Sequence, residues 1–439
     1  SAAEDKEANR MKKFAAGLLA AALLLSGCQR EAPAEGPALT DDIDYMPVVE
    51  ATDLASAGIT LAGDLHGVPT QARTEITEQG IFFFDWDAGL LMFNDWQTNA
   101  TYPLCAKANC THSDAGCNAW FDTAAGTPSG LHSDGDRLYY FTTNYPAACY
   151  VQDFDGENRR EVFSFEGDIY PQFVYEGDSV YFVANSYQMN AEPDETGSTV
   201  AVGGDQILRA DLQTGALETI PLTLPDDTGK ITRLAITGKY GDSLCLYYEE
   251  IDRGLFANFL QNLERTRFLL DLETGQIQGM MEDRKRANQM SSSDGTACGL
   301  YAYLDIDWDT EKSFPLGSHA VDAADGVPIL IDFANRVEYH FPSQPSLSVG
   351  FSLHDGKLFY TRPADDGQSL RLFYFDFATQ TEQPVPDFFQ DYIIRDETEN
   401  WFAIAPRQDT NTLPSYSRVL KSDYFAGNPA LIEMGEIQL

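Results

Sequence analysis

Basic residues are scarce in this 439-residue chain, which has 29 Lys and Arg against 68 Asp and Glu and a formal net charge of −39. A surface this acidic repels phosphate backbones, so the sequence argues against a nucleic-acid partner. The chain also lacks a hydrophobic run of the roughly 20 residues that a bilayer-spanning helix needs. We therefore predict neither nucleic-acid binding nor a transmembrane helix.

Familiar catalytic motifs are missing as well. The chain has no Gly-x-Ser-x-Gly elbow, no P-loop and no Gly-x-Gly-x-x-Gly that follows a strand. We therefore predict no catalytic residue and no bound organic cofactor, and we favour a protein that is not an enzyme. Apolar side chains are plentiful, since 43% of the residues are hydrophobic and 12% are aromatic, so the sequence predicts a folded core rather than a disordered chain.

The N-terminal region has the pattern of a targeting segment. Residues 11–28 read MKKFAAGLLAAALLLSGC, in which two Lys precede an apolar stretch that ends in Leu-Ser-Gly-Cys at Cys28. The apolar stretch is too short to span a membrane. The segment resembles a bacterial lipoprotein signal peptide, whose lipobox cysteine is acylated and becomes the first residue of the mature chain. The resemblance implies lipidation of Cys28, a lipid anchor in the bacterial cell membrane and an extracytoplasmic location. A plain secretory signal with a chance cysteine is the alternative.

The chain divides into four segments on this basis. Residues 1–10 precede Met11 and are interpreted as an upstream leader or a cloning remnant, and residues 11–27 form the signal peptide. Residues 28–50 contain the acylated Cys28 and a stretch rich in Pro, Ala and acidic residues, which predicts a flexible tether. Residues 51–439 are predicted to form one folded domain.

A hairpin pattern recurs throughout this domain. Each copy opens with an acidic or Gly turn before an apolar, aromatic strand, and the openers lie at Gly80, Gly135, Gly177, Gly241, Gly295, Gly356 and near Thr398. A later strand runs into a turn that starts with Asp and usually ends with Gly, as in Asp211–Gly215. Units of about four strands repeated in this way predict an all-β fold, a β-propeller. We favour seven four-stranded blades, with six or eight as variants and two stacked β-sandwiches as the alternative.

These repeats resemble the divergent blades of TolB-like and pyrroloquinoline-quinone-repeat-like extracytoplasmic proteins. The resemblance covers roughly residues 59–439 and rests on the repeated strand-and-turn architecture alone. It implies a β-propeller and gives no ligand.

One segment, PLCAKANCTHSDAGCNAW, concentrates metal-binding side chains: Cys105, Cys110, His112 and Cys117. Three thiolates and one imidazole form a complete tetrahedral ligand set for zinc, and a complete set predicts a structural rather than a catalytic metal. A disulfide is the rival interpretation, either within the segment or with Cys149, and free thiols are a third. A similar segment occurs in propeller lipoproteins of gut clostridia, which this chain resembles.

Calcium is a second cofactor that we leave open. Acidic residues alternate at Asp305, Asp307, Asp309 and Glu311, and again at Asp85 and Asp87. An EF-hand loop that starts at Asp305 would need Gly at its sixth position and Glu at its twelfth, but Thr310 and Leu316 stand there. Only a looser calcium site fits this pattern.

A propeller gathers loops from all of its blades around one axial funnel. We therefore predict a membrane-anchored extracytoplasmic lipoprotein whose propeller is a non-catalytic scaffold that binds a protein, small-molecule or carbohydrate ligand. The alternatives are an extracytoplasmic enzyme, such as a glycosidase, lyase or peptidase accessory, that uses the funnel, and a solute-binding lipoprotein. Convergent carboxylates or His near the axis would favour the enzyme.

Overall fold

Each repeat of the sequence folds into a small antiparallel sheet, because its aromatic and β-branched runs alternate with turns of Asp and Gly. The computed structural model describes residues 36–40, 43–45, 47, 49–51, 58, 65–67, 74–123, 128–185, 204–225, 230–252, 263–279, 300–306, 326–332, 337–340, 352–364, 369–407 and 416–433. The described strands form seven sheets, which we label A to G along the chain.

Two short strands precede the first repeat, β1 (Val49–Ala51) and β2 (Leu65–Gly67). Sheet A contains β3 (Thr74–Ile76), β4 (Gly80–Asp85), β5 (Leu90–Asp95) and β6 (Ala100–Pro103). Sheet B contains β7 (Pro128–Ser133), β8 (Arg137–Thr142), β9 (Ala147–Asp153) and β10 (Arg160–Phe165). Sheet C contains β11 (Asp168–Glu176), β12 (Ser179–Asn185), β13 (Asp205–Asp211) and β14 (Leu217–Ile220).

Sheet D contains β15 (Lys230–Tyr240), β16 (Ser243–Asp252), β17 (Leu263–Asp271) and β18 (Ile277–Gly279), with β2 added beside β15. Sheet E contains β19 (Leu300–Ile306), β20 (Gly326–Asp332) and β21 (Val337–His340), with β1 added beside β21. Sheet F contains β22 (Ser352–His354), β23 (Lys357–Pro363), β24 (Leu370–Asp376) and β25 (Thr381–Pro384). Sheet G contains β26 (Tyr392–Glu397), β27 (Trp401–Pro406), β28 (Ser417–Leu420) and β29 (Ile432–Glu433).

The sheets are arranged in a ring with their first strands innermost. The first strands of neighbouring sheets contact each other, β3 with β7, β7 with β11, β11 with β15, and β22 with β26. Strand β26 of sheet G also contacts β3 of sheet A, so the ring closes. The all-β propeller prediction is therefore confirmed. Six of the sheets are four-stranded blades, and six blades was one of the variants that the prediction allowed. Sheet D differs from the predicted four-stranded pattern because β2 gives it a fifth strand.

The Asp–Gly turns form as the sequence predicts. In sheet C, Asp211 Oδ1 accepts hydrogen bonds from the backbone N–H groups of Gln213 at 2.9 Å and Thr214 at 2.7 Å. Gly215 then adopts a φ of 73°, and a Cβ at this position would lie 2.2 Å from the carbonyl oxygen of Val162. Glycine is required there for both its backbone angle and the close approach of sheet B.

The N-terminal belt, the described residues between 36 and 51, follows the outer rim of the ring. Ala38 bridges Thr223 just beyond β14, Tyr45 bridges Gly279 in β18, and β1 pairs with β21, all in parallel. Leu39 is buried in the core between sheets C and D. Apolar contacts and backbone hydrogen bonds hold these described residues against three successive sheets, whereas the tether over residues 28–50 stays a prediction.

The two faces of the ring differ in their connections. Because strands alternate in direction, the links from second to third strands and those between sheets leave from one side, which we call the loop face. The strand ends that flank the long links 104–127, 186–204 and 253–262 lie on this face. The opposite side, the turn face, has links of six residues or fewer in sheets A, B, C, D and F, and it carries the α-helix Lys421–Ala426 with its flanks in sheet G. Among the described residues, no helix is both long and apolar enough to cross a membrane.

Candidate metal centre

The four predicted zinc ligands lie in the link from β6 to β7, on the loop face. This link folds back over the start of β5, where Leu91 N–H donates to the Ala119 carbonyl at 2.8 Å and Phe121 N–H donates to the Gly89 carbonyl at 3.1 Å. Arg159 of sheet B holds it from the other side and donates to the Trp120 carbonyl at 2.6 Å. The link is therefore built into the propeller on both flanks.

The structure brings Cys105, Cys110, His112 and Cys117 together. One ligand atom from each residue lies within 4.8 Å of all the others. His112 Nδ1 is 3.3 Å from Cys117 Sγ. Zinc–sulfur bonds of about 2.3 Å and zinc–nitrogen bonds of about 2.0 Å give tetrahedral edges of roughly 3.5–3.8 Å. The donor set and its spacing therefore fit a metal such as zinc with only small side-chain movements.

Backbone conformation explains how so short a segment turns four side chains inward. Asn109 has a φ of 59° and His112 a φ of 53°, the left-handed region that these residue types tolerate better than most. Asp114 Oδ1 accepts from Gly116 N–H at 2.8 Å, and Lys107 Nζ donates to the Gly116 carbonyl at 2.6 Å. These bonds hold the turn before Cys117 without any metal contact.

The thiols are in different electrostatic surroundings. Burial raises the pKa of Cys117 to about 12, although Ala119 N–H donates to its sulfur at 3.3 Å. Burial also acts to raise the pKa of Cys105, but hydrogen bonds from the backbone N–H groups of Lys107 and Asn118 outweigh it and lower that pKa. A zinc ion would supply the positive charge that keeps Cys117 deprotonated, and N–H donors would stabilise the resulting thiolates.

No disulfide joins the described cysteines in the structure. Cys105, Cys110, Cys117, Cys149 and Cys245 are all free thiols. Cys149 is fully buried in the core of sheets B and C, where burial raises the pKa of its thiol. The other predicted cysteine site, the lipidated Cys28, lies outside the described residues.

The metal centre packs into one particular core. Cys117 and Ala119, with the half-buried Cys105, Cys110 and Trp120, belong to the apolar cluster shared by sheets A and G. Leu104 and Phe121, at the two ends of the same loop, belong instead to the cluster between sheets A and B. The link therefore straddles sheet A, and its cysteines face sheet G.

A second group of polar residues lies on the innermost strands. Glu75 Oε1 accepts from Ser133 N–H at 2.8 Å and is 4.0 Å from His132 Nδ1. Asp396 Oδ2 accepts from Ile76 N–H at 3.3 Å. These bonds join sheet A to both of its neighbours, B and G.

The pKa values of the two carboxyl groups, Glu75 and Asp396, are raised toward neutral pH. Burial, followed by repulsion from Asp396, raises the pKa of Glu75 to about 8. Burial likewise raises the pKa of Asp396 to about 7 and lowers the pKa of His132 to about 4. Convergent acids with a histidine are the feature that would favour an enzyme, but each acid here already has an oxygen engaged by the backbone of a neighbouring sheet.

Of the predicted calcium residues, the structure describes the side chains of Asp85 and Asp87. Asp85 Oδ1 accepts hydrogen bonds from the backbone N–H groups of Asp87 and Ala88, both at 3.0 Å, so it caps the turn between β4 and β5. Residues 307–311 lie outside the described residues.

Comparison with known proteins gives likeness of fold. No family model and no curated protein matches the chain. Solved structures similar to it include TolB from Acinetobacter baumannii (15% identity, TM-score 0.31, covering 72% of this chain and 62% of TolB). A second is the propeller domain of the Trilobed protease from Pyrococcus furiosus (8% identity, TM-score 0.43, covering 86% of this chain and 97% of that chain). A third is a prolyl endopeptidase (13% identity, TM-score 0.46, covering 88% of this chain and 52% of that chain). The chain thus spans under two thirds of the TolB and endopeptidase chains. The shared feature is the β-propeller.

Sequence reasoning missed the residues that surround these groups. Trp401, Ala403 and Ala405 of β27 pack in the cluster that contains the cysteines, and Arg418 of β28 contacts sheet A. They lie about 300 residues away along the chain, and no local motif marks them. Glu75 and Asp396 were likewise hidden among many acids, because only their hydrogen bonds to neighbouring sheets distinguish them.

Proposed function

We propose that this chain is a lipid-anchored extracytoplasmic scaffold that binds a protein or small-molecule partner on the loop face of its propeller and holds a structural zinc ion at the Cys3His centre. The observation that carries the proposal is the asymmetry of the two faces. The strand ends that flank the long links 104–127, 186–204 and 253–262 lie on the loop face, and long links on a rigid scaffold are where binding residues concentrate. The turn face consists mainly of short Asp–Gly turns.

Site-specific cross-linking tests the binding face. A photo-reactive amino acid is placed at Tyr145, which is 56% exposed on the loop face, or at Leu217, which is 38% exposed beside a turn of the opposite face. We expect irradiation of intact cells to give a discrete adduct from position 145 and none from position 217. Equal adducts from both positions, or adducts from position 217 alone, would contradict the proposal.

The anchor has its own test. Cys28→Ser removes the acylation site, so we expect this variant to move from the membrane fraction to the soluble extracytoplasmic fraction. Cys110→Ser is the matched control, because it changes a cysteine of the metal centre and leaves the anchor intact. Retention of Cys28→Ser in membranes would show that the lipid anchor is wrong. The N-terminal belt begins at about residue 36. The residues between Cys28 and the belt could therefore span at most about 25 Å between a lipid anchor and the ring.

An enzyme remains a second candidate on one observation, the raised pKa values of Glu75 and Asp396. A carboxyl group that titrates near neutral pH suits general acid catalysis. The hydrogen bonds of both acids to neighbouring sheets favour a structural role, and the pH dependence described in the Discussion tests whether these pKa values are raised.

A further inference from the structure

We propose that metal binding at the Cys3His centre controls closure of the ring between its first and last sheets. This inference rests on the zinc centre proposed above and assigns that centre a regulatory effect on the A–G seam, the contact between sheets A and G. The bound metal would stabilise the packing of the link between β6 and β7 against sheet G, which lies about 300 residues further along the chain.

The A–G seam is where added stabilisation by a metal would affect ring closure most. Every other pair of neighbouring sheets is joined by a chain link, whereas sheets A and G are built from separate ends of the folded domain. Among the described strands, none from sheet A pairs with one from sheet G. Closure therefore depends on side-chain packing and a few hydrogen bonds.

Polar and aromatic contacts hold the seam in addition to the apolar core. Ile76 N–H donates to Asp396 Oδ2 near the axis. Arg418 Nη2 donates to the Trp96 carbonyl at 2.6 Å, and its guanidinium lies 4.5 Å from the Trp96 ring centre and 5.1 Å from that of Trp401. The two indole rings contact each other at 5.6 Å between centroids. The guanidinium group and the two indole rings therefore connect β28 and β27 to sheet A through Trp96.

The metal centre supplies the rest of this core. Cys117 is 1% exposed and Ala119 is also 1% exposed, and both lie in one cluster with Ala403 and Ala405 of β27. Small side chains on sheet G leave space that only a folded, correctly placed loop fills. Because the metal fixes four positions of that loop, its removal lets the loop open and removes packing from sheet G.

Hydrogen exchange tests the coupling directly. Zinc content is first measured by mass spectrometry, and exchange of zinc-loaded and chelator-stripped protein is then compared. Coupling between sites is typically 5- to 150-fold, so we expect protection of the amides of β27 and β28 to fall about 10-fold or more on zinc removal. Amides of β12 and β13 in sheet C should change less than about two-fold. Equal loss in sheets C and G, or no loss in sheet G, would overturn the proposal.

Linkage supplies a second, reciprocal measurement that does not require stripped protein. Weakening the seam from the side of sheet G must weaken zinc binding, since the coupling free energy is the same in both directions. We expect Arg418→Gln to lower zinc affinity about five-fold or more in competition with a chromogenic chelator. Arg209→Gln is the matched control, because Arg209 also lies on a third strand and stacks on an aromatic ring, that of Tyr181 at 5.9 Å. Equal affinities of the two variants would contradict the coupling.

The two proposals fail in different ways. A wild-type protein that binds no zinc would defeat the metal centre itself. A protein that binds zinc but shows unchanged exchange in sheet G would defeat only its role in closing the ring.

Discussion

Cys117→Ser should abolish zinc binding, with the metal content falling from about one ion per chain to none. Cys117 is the most buried of the four ligands, and the pKa of its thiol is raised to about 12, so the site depends on the metal to keep this sulfur charged. A serine hydroxyl at the same position binds zinc poorly and leaves a polar oxygen in an apolar core. Metal analysis of the purified variant, with a thiol count under denaturing conditions, measures the result.

The same substitution should lower thermal stability. A ligand held about 1,000-fold above its dissociation constant stabilises the native state by about 4 kcal/mol, which corresponds to a decrease in Tm on the order of 5 °C for a chain of this length. Cys149→Ala is the control, since it removes a buried thiol from the core of sheets B and C and should leave zinc content unchanged. Wild-type protein with two oxidised thiols and no metal would contradict the zinc centre.

The second large effect is a loss of stability as pH rises from about 6.5 to 8. The pKa of Glu75 is raised to about 8 and that of Asp396 to about 7, so the folded state holds protons that the unfolded state, with ordinary pKa values near 4, has released. Stability from these groups is therefore present at low pH and is lost as pH rises through their folded pKa values. The unfolding free energy should fall by about 1.4 kcal/mol per pH unit for each proton involved.

Neighbouring groups determine the pH window. The pKa of His132 is lowered to about 4 by burial, so this histidine opposes the acid pair below about pH 6.5 and contributes little above it. The pKa of Glu397 is lowered to about 2 against the effect of burial, by hydrogen bonds from His354 and Lys421, so it acts only in acid. Measurements between pH 6.5 and 8 therefore avoid these two groups. Zinc binding also releases thiol protons in this window, so the contribution of Glu75 is the difference in slope between the wild type and a Glu75 variant.

Urea unfolding followed by tryptophan fluorescence, at several pH values and saturating zinc, measures the slope. We expect Glu75→Gln to flatten it, because the neutral amide resembles the protonated acid in size and charge. Glu157→Gln is the control, since Glu157 is exposed in a turn of sheet B. If Glu75→Gln retains the wild-type slope, the pKa of Glu75 is not raised in the folded state, and the one observation behind the enzyme candidate is lost.

The sequence by itself determined the features that local patterns encode. Runs such as RLYYF and SVYFV beside Asp–Gly turns predicted the strands and the all-β propeller, because strand alternation and turn chemistry act over fewer than ten residues. The spacing of Cys105, Cys110, His112 and Cys117 likewise predicted a metal-ligand set, since all four residues lie in one short loop.

Only the tertiary structure decided how these pieces meet. It placed the N-terminal belt on the outer rim, added β2 to sheet D, and packed the cysteines against Ala403 and Ala405 of sheet G. It also selected Glu75 and Asp396 from 68 acidic residues by hydrogen-bonding them to neighbouring sheets. Such contacts depend on which surfaces remain unpaired after each sheet has formed, and that is a property of the closed ring rather than of any short segment of the chain.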